Sequence, residues 1–146
     1  MVLPFIKISI SIRSIFLATL FINCHDIAAT SQPPAPQGFA VVELFTSEGC
    51  SSCPPADAAM SVIANKYKEQ VFVLGFHVDY WNRLGWKDEF SSSDYSKRQR
   101  NYATAFSLEG VYTPQVVVNG KSQFVGSDKS KIEKVIQSQL NEKAAT

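Results

Sequence analysis

Two cysteines, Cys50 and Cys53, stand three positions apart in the stretch EGCSSCPPAD. A pair at that spacing supports three chemistries. It is half of a tetrahedral zinc site, a short-range staple, or a reversible dithiol for thiol–disulfide exchange. The zinc reading lacks a second cysteine pair, since the remaining cysteine, Cys24, stands alone in the N-terminal segment. A staple closing so short a loop constrains the unfolded chain only modestly. Exchange needs a stabilised thiolate, and the residues that follow offer one. Pro54 and Pro55 suit the first turn of a helix, where a missing N–H costs little. The N-terminus of a helix presents free N–H groups and the positive end of its dipole. Cys50, expected at that helix start, is the candidate nucleophile. Cys53, about one helical turn on, is the candidate resolving thiol. The intervening Ser51 and Ser52 can donate hydrogen bonds to a thiolate.

The elements around the pair must hold it at an edge. FAVVELF (39–45) is a β-branched and aromatic run with strand character. After the pair, Ala56, Met60, Ile63 and Tyr67 recur at helical spacing, which predicts a helix of about three turns. QVFVLGFHVDYW (70–81) is almost continuously apolar, as expected of a central strand covered on both faces. Two strands joined by a helix predict a right-handed parallel βαβ unit, whose functional edge receives Cys50. The segment 91–106 has serines and Asp94 to cap a helix with Tyr95, Tyr102 and Phe106 inward, while KRQR (97–100) reads as a solvated face. PQVVV (114–118) and KSQFVG (121–126) flank Asn119-Gly120, a strong hairpin signal. Ser127 or Asp128 then caps a last helix carrying Ile132, Val135, Ile136 and Leu140 on one face. The expected order is β-α-β-α-β-β-α.

The N-terminus reads differently. Lys7 and Arg13 precede an apolar run from Ile15 to Ile22, and Ala28 and Ala29 follow, the layout of a signal peptide over 1–29. The run is too short to span a bilayer of about 30 Å as a helix. Asn23 before Cys24 argues against a lipid anchor. A proline-rich leader occupies 30–38, and one folded domain is expected over 39–146. The first 29 residues hold two of the 14 basic and one of the 13 acidic residues, so the remainder is neutral. That balance gives no footprint for nucleic acid. The expected place of work is outside the cytoplasm, periplasmic or secreted, with no stable membrane anchor after cleavage; there thiol chemistry has consequences.

A strand, a CxxC at a helix start, a parallel strand, a helix, and Thr113-Pro114 before a hairpin and final helix together resemble the thioredoxin superfamily. The implied fold class is α/β, a mixed sheet of about four strands flanked by helices. More narrowly, VVELFTSEGCSSCPPAD followed by VYTPQVVVNG is similar to a family of exported thioredoxin-like proteins under a domain-of-unknown-function label. Many of its members continue into a further C-terminal segment, whose role this sequence is expected to lack. The resemblance implies that Pro114 is a cis-proline facing the pair and that Thr113 offers backbone to a substrate. It implies a buried acid on the first strand, for which Glu43 is the candidate proton acceptor, although its spacing to Cys50 is one residue longer than usual. Gly49 stands where an aromatic is common. Likeness of the hairpin and last helix to glutaredoxins suggests contacts from Thr113, Ser127 and Asp128 to glutathione, with capping as the alternative role of Ser127 and Asp128. The expected partners are a protein or small-thiol disulfide, glutathione included, and no cofactor.

Other residues offer alternatives. His77 and Asp79, two apart on the second strand, share a face near the pair. Cys50, Cys53 and His77 would make a soft site for Cu(I), similar to exported copper-delivery proteins of the same fold. A plain hydrogen-bonded histidine is the alternative, and Asp79 equally suits a loop cap. Tyr80, Trp81 and Trp86 are candidates for a substrate platform or for core plugs beneath a loop. A third reading keeps the fold as a binding module without turnover.

Overall fold

The computed structural model describes residues 38–142. The expected signal segment, Cys24 and residues 30–37 of the leader lie outside the described residues, as do 143–146. The elements are β1 (Ala40–Thr46), α1 (Pro54–Tyr67), β2 (Val71–His77), α2 (Ser93–Ala105), β3 (Gln115–Val118), β4 (Ser122–Val125) and α3 (Lys129–Asn141), with short 3-10 turns at Lys68–Gln70 and Asp79–Leu84. The sheet order is β2-β1-β3-β4. β1 runs parallel to β2 and antiparallel to β3, and β3 is antiparallel to β4. This is the thioredoxin-like arrangement, in the expected element order.

The strand covered on both faces is β1, not β2. β2 lies at the edge, with Phe72 51% and Leu74 43% exposed. An apolar run does not distinguish a central strand from an edge strand whose outer face lacks a covering element. β2 also stops at His77, and Asp79, Tyr80 and Trp81 turn away in the 3-10 segment.

One face of the sheet packs Val42 and Leu44 of β1, Val71, Val116, Val118 and Phe124 against Ala56, Met60 and Ile63 of α1 and Ile132 and Ile136 of α3. Side chains alternate across a strand, so Glu43 and Phe45 face the other way, toward α2. There Phe45, Val78 and Val117 form a smaller cluster with Phe76, Tyr102 and Phe106 around it. The β3–β4 turn is a left-handed pair, Asn119 at φ 49° and Gly120 at φ 65°, as such hairpins require. Asn119 Oδ1 also accepts from the Val41 amide at 2.7 Å, and its Nδ2 donates to Gln139 Oε1 at 2.8 Å. The turn thereby ties β1 to α3.

Candidate redox site

β1 ends at Thr46, and the chain turns twice before α1 begins. The Cys50 amide donates to the Ser47 carbonyl and the Cys53 amide to the Cys50 carbonyl, each at 3.1 Å. Cys53 is the N-cap residue, its carbonyl accepting from Ala56 and Asp57 at 2.8 and 3.1 Å. It is therefore Cys53 that stands at the helix N-terminus, while Cys50 lies one turn before it. The sequence expectation placed Cys50 at the helix start and Cys53 a turn into it; the helix instead begins at Pro54, so both cysteines lie one turn earlier than expected. The two cysteines are joined in a disulfide, with Cα atoms 5.4 Å apart. Cys50 is 1% and Cys53 0% exposed. Ser51 and Ser52 are exposed. Ser52 Oγ lies 3.6 Å from Cys50 Sγ and donates to the Thr113 carbonyl at 3.5 Å.

The Thr113–Pro114 peptide bond is cis. Thr113 Oγ1–H donates to Cys50 Sγ at 3.2 Å, and Trp81 Nε1–H donates to Thr113 Oγ1 at 2.9 Å. Trp81 is half-buried and lies against Gly49, where an added Cβ would come within 3.2 Å of the Trp81 Cβ. The room for Trp81 is thus made by the glycine that replaces the usual aromatic. Gly126 plays a similar part, since a Cβ there would meet Ala56, Leu44 and Pro114 at 3.1 to 3.2 Å. Trp86 is exposed, and its Nε1–H donates to Glu48 Oε2 at 3.2 Å. The two tryptophans thus contact neighbouring residues of the turn before Cys50, Trp81 at Gly49 and Trp86 at Glu48. Tyr80 donates to Gln99 Oε1 at 3.2 Å, and burial raises the phenol's pKa so that it stays a donor. Gln99, fully buried, donates to the Tyr112 carbonyl at 2.7 Å and to Gln115 Oε1 at 3.0 Å. This network grips the segment on both sides of Thr113 and Pro114.

Glu43 is buried, as expected, but its carboxylate is engaged by α2. Arg98 donates to it through Nε at 2.6 Å and through a terminal nitrogen at 2.8 Å, and Tyr102 donates at 2.7 Å. The pairing raises the pKa of Arg98, chiefly through those hydrogen bonds. Burial first, and then Glu43, pushes up that of Tyr102. The reason is strand alternation: Glu43 lies between Val42 and Leu44, which face α1, so its own side chain faces α2. Glu43 shares the face of Phe45, whereas Leu44 packs with α1. Arg98 is accordingly not part of a merely solvated run, although Lys97 and Arg100 are exposed.

His77 and Asp79 diverge. His77 Nδ1 is 2.7 Å from Asp88 Oδ2, and Asp79 is bonded to Ser96 of α2 through its amide, at 3.0 Å, and its carboxylate. Among the described residues no group of three or more His, Cys, Asp and Glu side chains is arranged to hold a metal. Cys50, Cys53 and His77 therefore do not converge into the copper site considered above. Asp88 is buried and also accepts from the amides of Glu48, at 2.9 Å, and Phe90, at 3.0 Å. Burial alone would raise its pKa, but those amides and His77 outweigh it and hold the carboxyl below the usual range. Asp88 thereby pins the turn that leads into Cys50. Asp128 caps α3, its Oδ1 accepting from the Lys131 amide at 3.0 Å, and Ser127 is exposed before it.

Asp88, Gln99, Arg98 and Gly126 had escaped sequence reasoning. A polar residue on the inner stripe of a helix was the available signal for Gln99, which recurs with Ser96 and Ala103 at helical spacing. Cavities of about 570 and 620 Å³ lie on other parts of the domain, lined in one case by Phe39, Val41 and Lys121 and in the other by residues of α3. A smaller one of about 510 Å³, lined by Glu48, Trp86, Lys87, Glu89 and Phe90, adjoins the turn before Cys50.

Residues 41–146 match the family described as "Protein of unknown function (DUF1223)". A crystal structure of a protein from Agrobacterium tumefaciens is 44% identical, with a TM-score of 0.65, over 71% of this chain and 46% of that one. The present chain thus spans about half the length of that relative. The germline-specific thioredoxin Deadhead of Drosophila melanogaster is 17% identical with a TM-score of 0.45, over 69% and 81% of the two chains. No curated protein matches.

Proposed function

The chain belongs to the DUF1223 family, and from that premise we propose that it is an exported thiol–disulfide exchange protein working through Cys50 and Cys53. The carrying observation is the closed Cys50–Cys53 disulfide with the Thr113 hydroxyl on Cys50 Sγ. In the oxidising direction, a partner thiolate attacks Cys50 Sγ and forms a mixed disulfide, and Cys53 leaves as thiolate. A second thiol of the partner then attacks the partner sulfur; its disulfide closes and Cys50 leaves with the electron pair. Two electrons pass from the partner dithiol to the protein, and the partner's protons end on the cysteines or in solvent. The reductive direction is the reverse. A protein or small-thiol disulfide such as glutathione serves as partner, and the groove beside Glu48, Trp86 and Phe90 offers apolar surface for it. Thr113, with its backbone beside Ser52, supplies the polar contact to a bound peptide.

The burial of both cysteines supports a second reading, in which the fold binds a partner with its disulfide closed and without turnover. The two separate in a series of glutathione buffers followed by alkylation of free thiols. Exchange predicts a sharp dithiol–disulfide transition, catalysed reduction of a model disulfide, and loss of both in Cys50→Ser. A disulfide that never opens across the series sinks the exchange reading. Export predicts that the protein recovered outside the cytoplasm begins near Thr30; recovery only in the cytoplasm with the N-terminus intact refutes it.

A further inference from the structure

We infer that Trp81 is a positioning residue that aims the single hydroxyl proton of Thr113 at Cys50 and so tunes its acidity. The inference rests on the exchange reading, in which Cys50 is the attacking thiol, and deepens it. A threonine hydroxyl has one proton and two lone pairs, and its proton turns to suit its neighbours. The neighbours of the Thr113 hydroxyl are Trp81, Cys50 and the phenol of Tyr80, which itself donates to Gln99. Trp81 Nε1–H is a donor only, and it occupies a lone pair of Oγ1 at 2.9 Å. With that side taken by a donor, the hydroxyl proton is free to point at Cys50 Sγ, 3.2 Å away. The indole is itself held in place. Its Cβ abuts Gly49, and the Arg83 guanidinium lies 5.9 Å from its ring centroid.

When the disulfide is reduced, the same hydroxyl meets a thiolate, a far better acceptor than a disulfide sulfur. Hydrogen bonding to the charged form favours that form and lowers its pKa. The helix dipole acts most directly on Cys53, the N-cap residue, so the Trp81–Thr113 pair gives Cys50 its own source of stabilisation. Remove the indole N–H and the hydroxyl is released to rotate; remove the hydroxyl and the donor is gone. The charged and titratable groups around the site are Glu48 on the same turn, Asp57 in α1, His77 at the end of β2, Asp88 in the loop beyond it, Asp79, Tyr80 and Arg83 in the 3-10 turn, and Asp128 before α3. Trp81→Phe and Thr113→Val add no charge to the site, and the groups they touch are Arg83, over the Trp81 ring, and Tyr80, bonded to Thr113.

The test is the pH profile of iodoacetamide alkylation of the fully reduced protein, with the modified cysteine located by mass spectrometry. Thr113→Val is expected to raise the midpoint for Cys50 by about one pH unit, so that alkylation on the acid limb falls about tenfold. Trp81→Phe is expected to shift it in the same direction by less. The double variant should match Thr113→Val alone, and Thr113→Ser should restore the wild-type midpoint. An unchanged midpoint in folded Trp81→Phe, or singles that add in full, overturns the inference. Should Trp81→Phe fail to fold, the indole N–H resonance of Trp81 in the reduced wild-type protein decides. It is expected to titrate with the Cys50 midpoint, and a flat resonance overturns the inference. Alkylation of Cys53 in preference to Cys50 in the wild type would instead refute the exchange assignment on which the inference stands.

Discussion

The two faces of the sheet are built on different principles. Toward α1 and α3 the strands present Ala40, Val42, Leu44, Val71, Val116 and Val118, and the helices answer with Ala56, Ala59, Met60, Ile63, Ile132 and Ile136. The polar intruder on this face of β1 is Thr46, whose buried Oγ1 has no hydrogen-bond partner among the described residues. Toward α2 the apolar content shrinks to Phe45, Val78 and Val117 and their neighbours. Glu43, Arg98, Tyr102, Gln99, Gln115 and Gln123 fill the rest with directed bonds. A dry face gains free energy from area and tolerates changes that conserve volume. A polar face gains less but permits few alternative arrangements, because each misplaced partner leaves a buried group unsatisfied. Tyr112, Thr113 and Pro114 hang from the polar face. The molecule places its stability on one side and the bonds that position the segment beside its cysteine pair on the other.

The sharpest way to break that division is to damage each side in turn. Ile132→Ala, at a fully buried position, is expected to lose about 2–5 kcal/mol in denaturant unfolding. The pH profile of Cys50 should survive in whatever fraction stays folded. Arg98→Leu leaves the Glu43 carboxylate buried with Tyr102 as its remaining partner. Its cost is set at about 2 kcal/mol, below that of a dry pair, because nearly half of the Arg98 side chain is in water. Adding Glu43→Leu should recover most of that loss, since removing both charges also removes the burden of the orphan. A double variant as unstable as the single one would place the face's value elsewhere.

Thr46→Val is a change in the opposite direction. It deletes an unpartnered buried hydroxyl at constant shape and is expected to stabilise by about 1 kcal/mol. A loss of stability would reveal a partner for that oxygen in solution. The smallest effect concerns Asp88 and is confined to acid. Its carboxyl is held below the usual range in the folded protein, so it contributes stability above the unfolded value near pH 3.9. That contribution is lost as pH falls through the folded value. Melting temperatures measured from pH 7 to pH 2 should show Asp88→Asn starting lower than the wild type and converging on it at the acid end. Parallel curves would mean that the charge at Asp88 contributes nothing.

The order of elements, the CxxC and the hairpin turn were legible, because each is a local signal of period, spacing or turn chemistry, whereas the place of Pro114 beside the cysteine segment followed only from the family resemblance. What was not legible was set by pairing at long range. Glu43 meets Arg98 55 positions away, and no local pattern marks a helix arginine as a partner for a strand acid. The edge position of β2 depends on what covers Phe72 and Leu74, which an apolar run does not encode. The face of Glu43 follows from its place in β1, which a count back from Cys50 across a turn does not give. Asp88 sits in the loop between β2 and α2, where no pattern marks it, yet its carboxylate joins β2, the Glu48 amide and the Phe90 amide.

For the proposed exchange, the near-complete burial of Cys50 and Cys53 has a consequence in time. A disulfide that thiols cannot reach by collision is consumed at the rate at which its cover lifts. While reclosing outpaces attack, exchange rises in proportion to thiol; once attack is faster, it levels off at the opening rate. At the plateau the protein's own breathing sets the pace, and the abundance of the thiols around it no longer does.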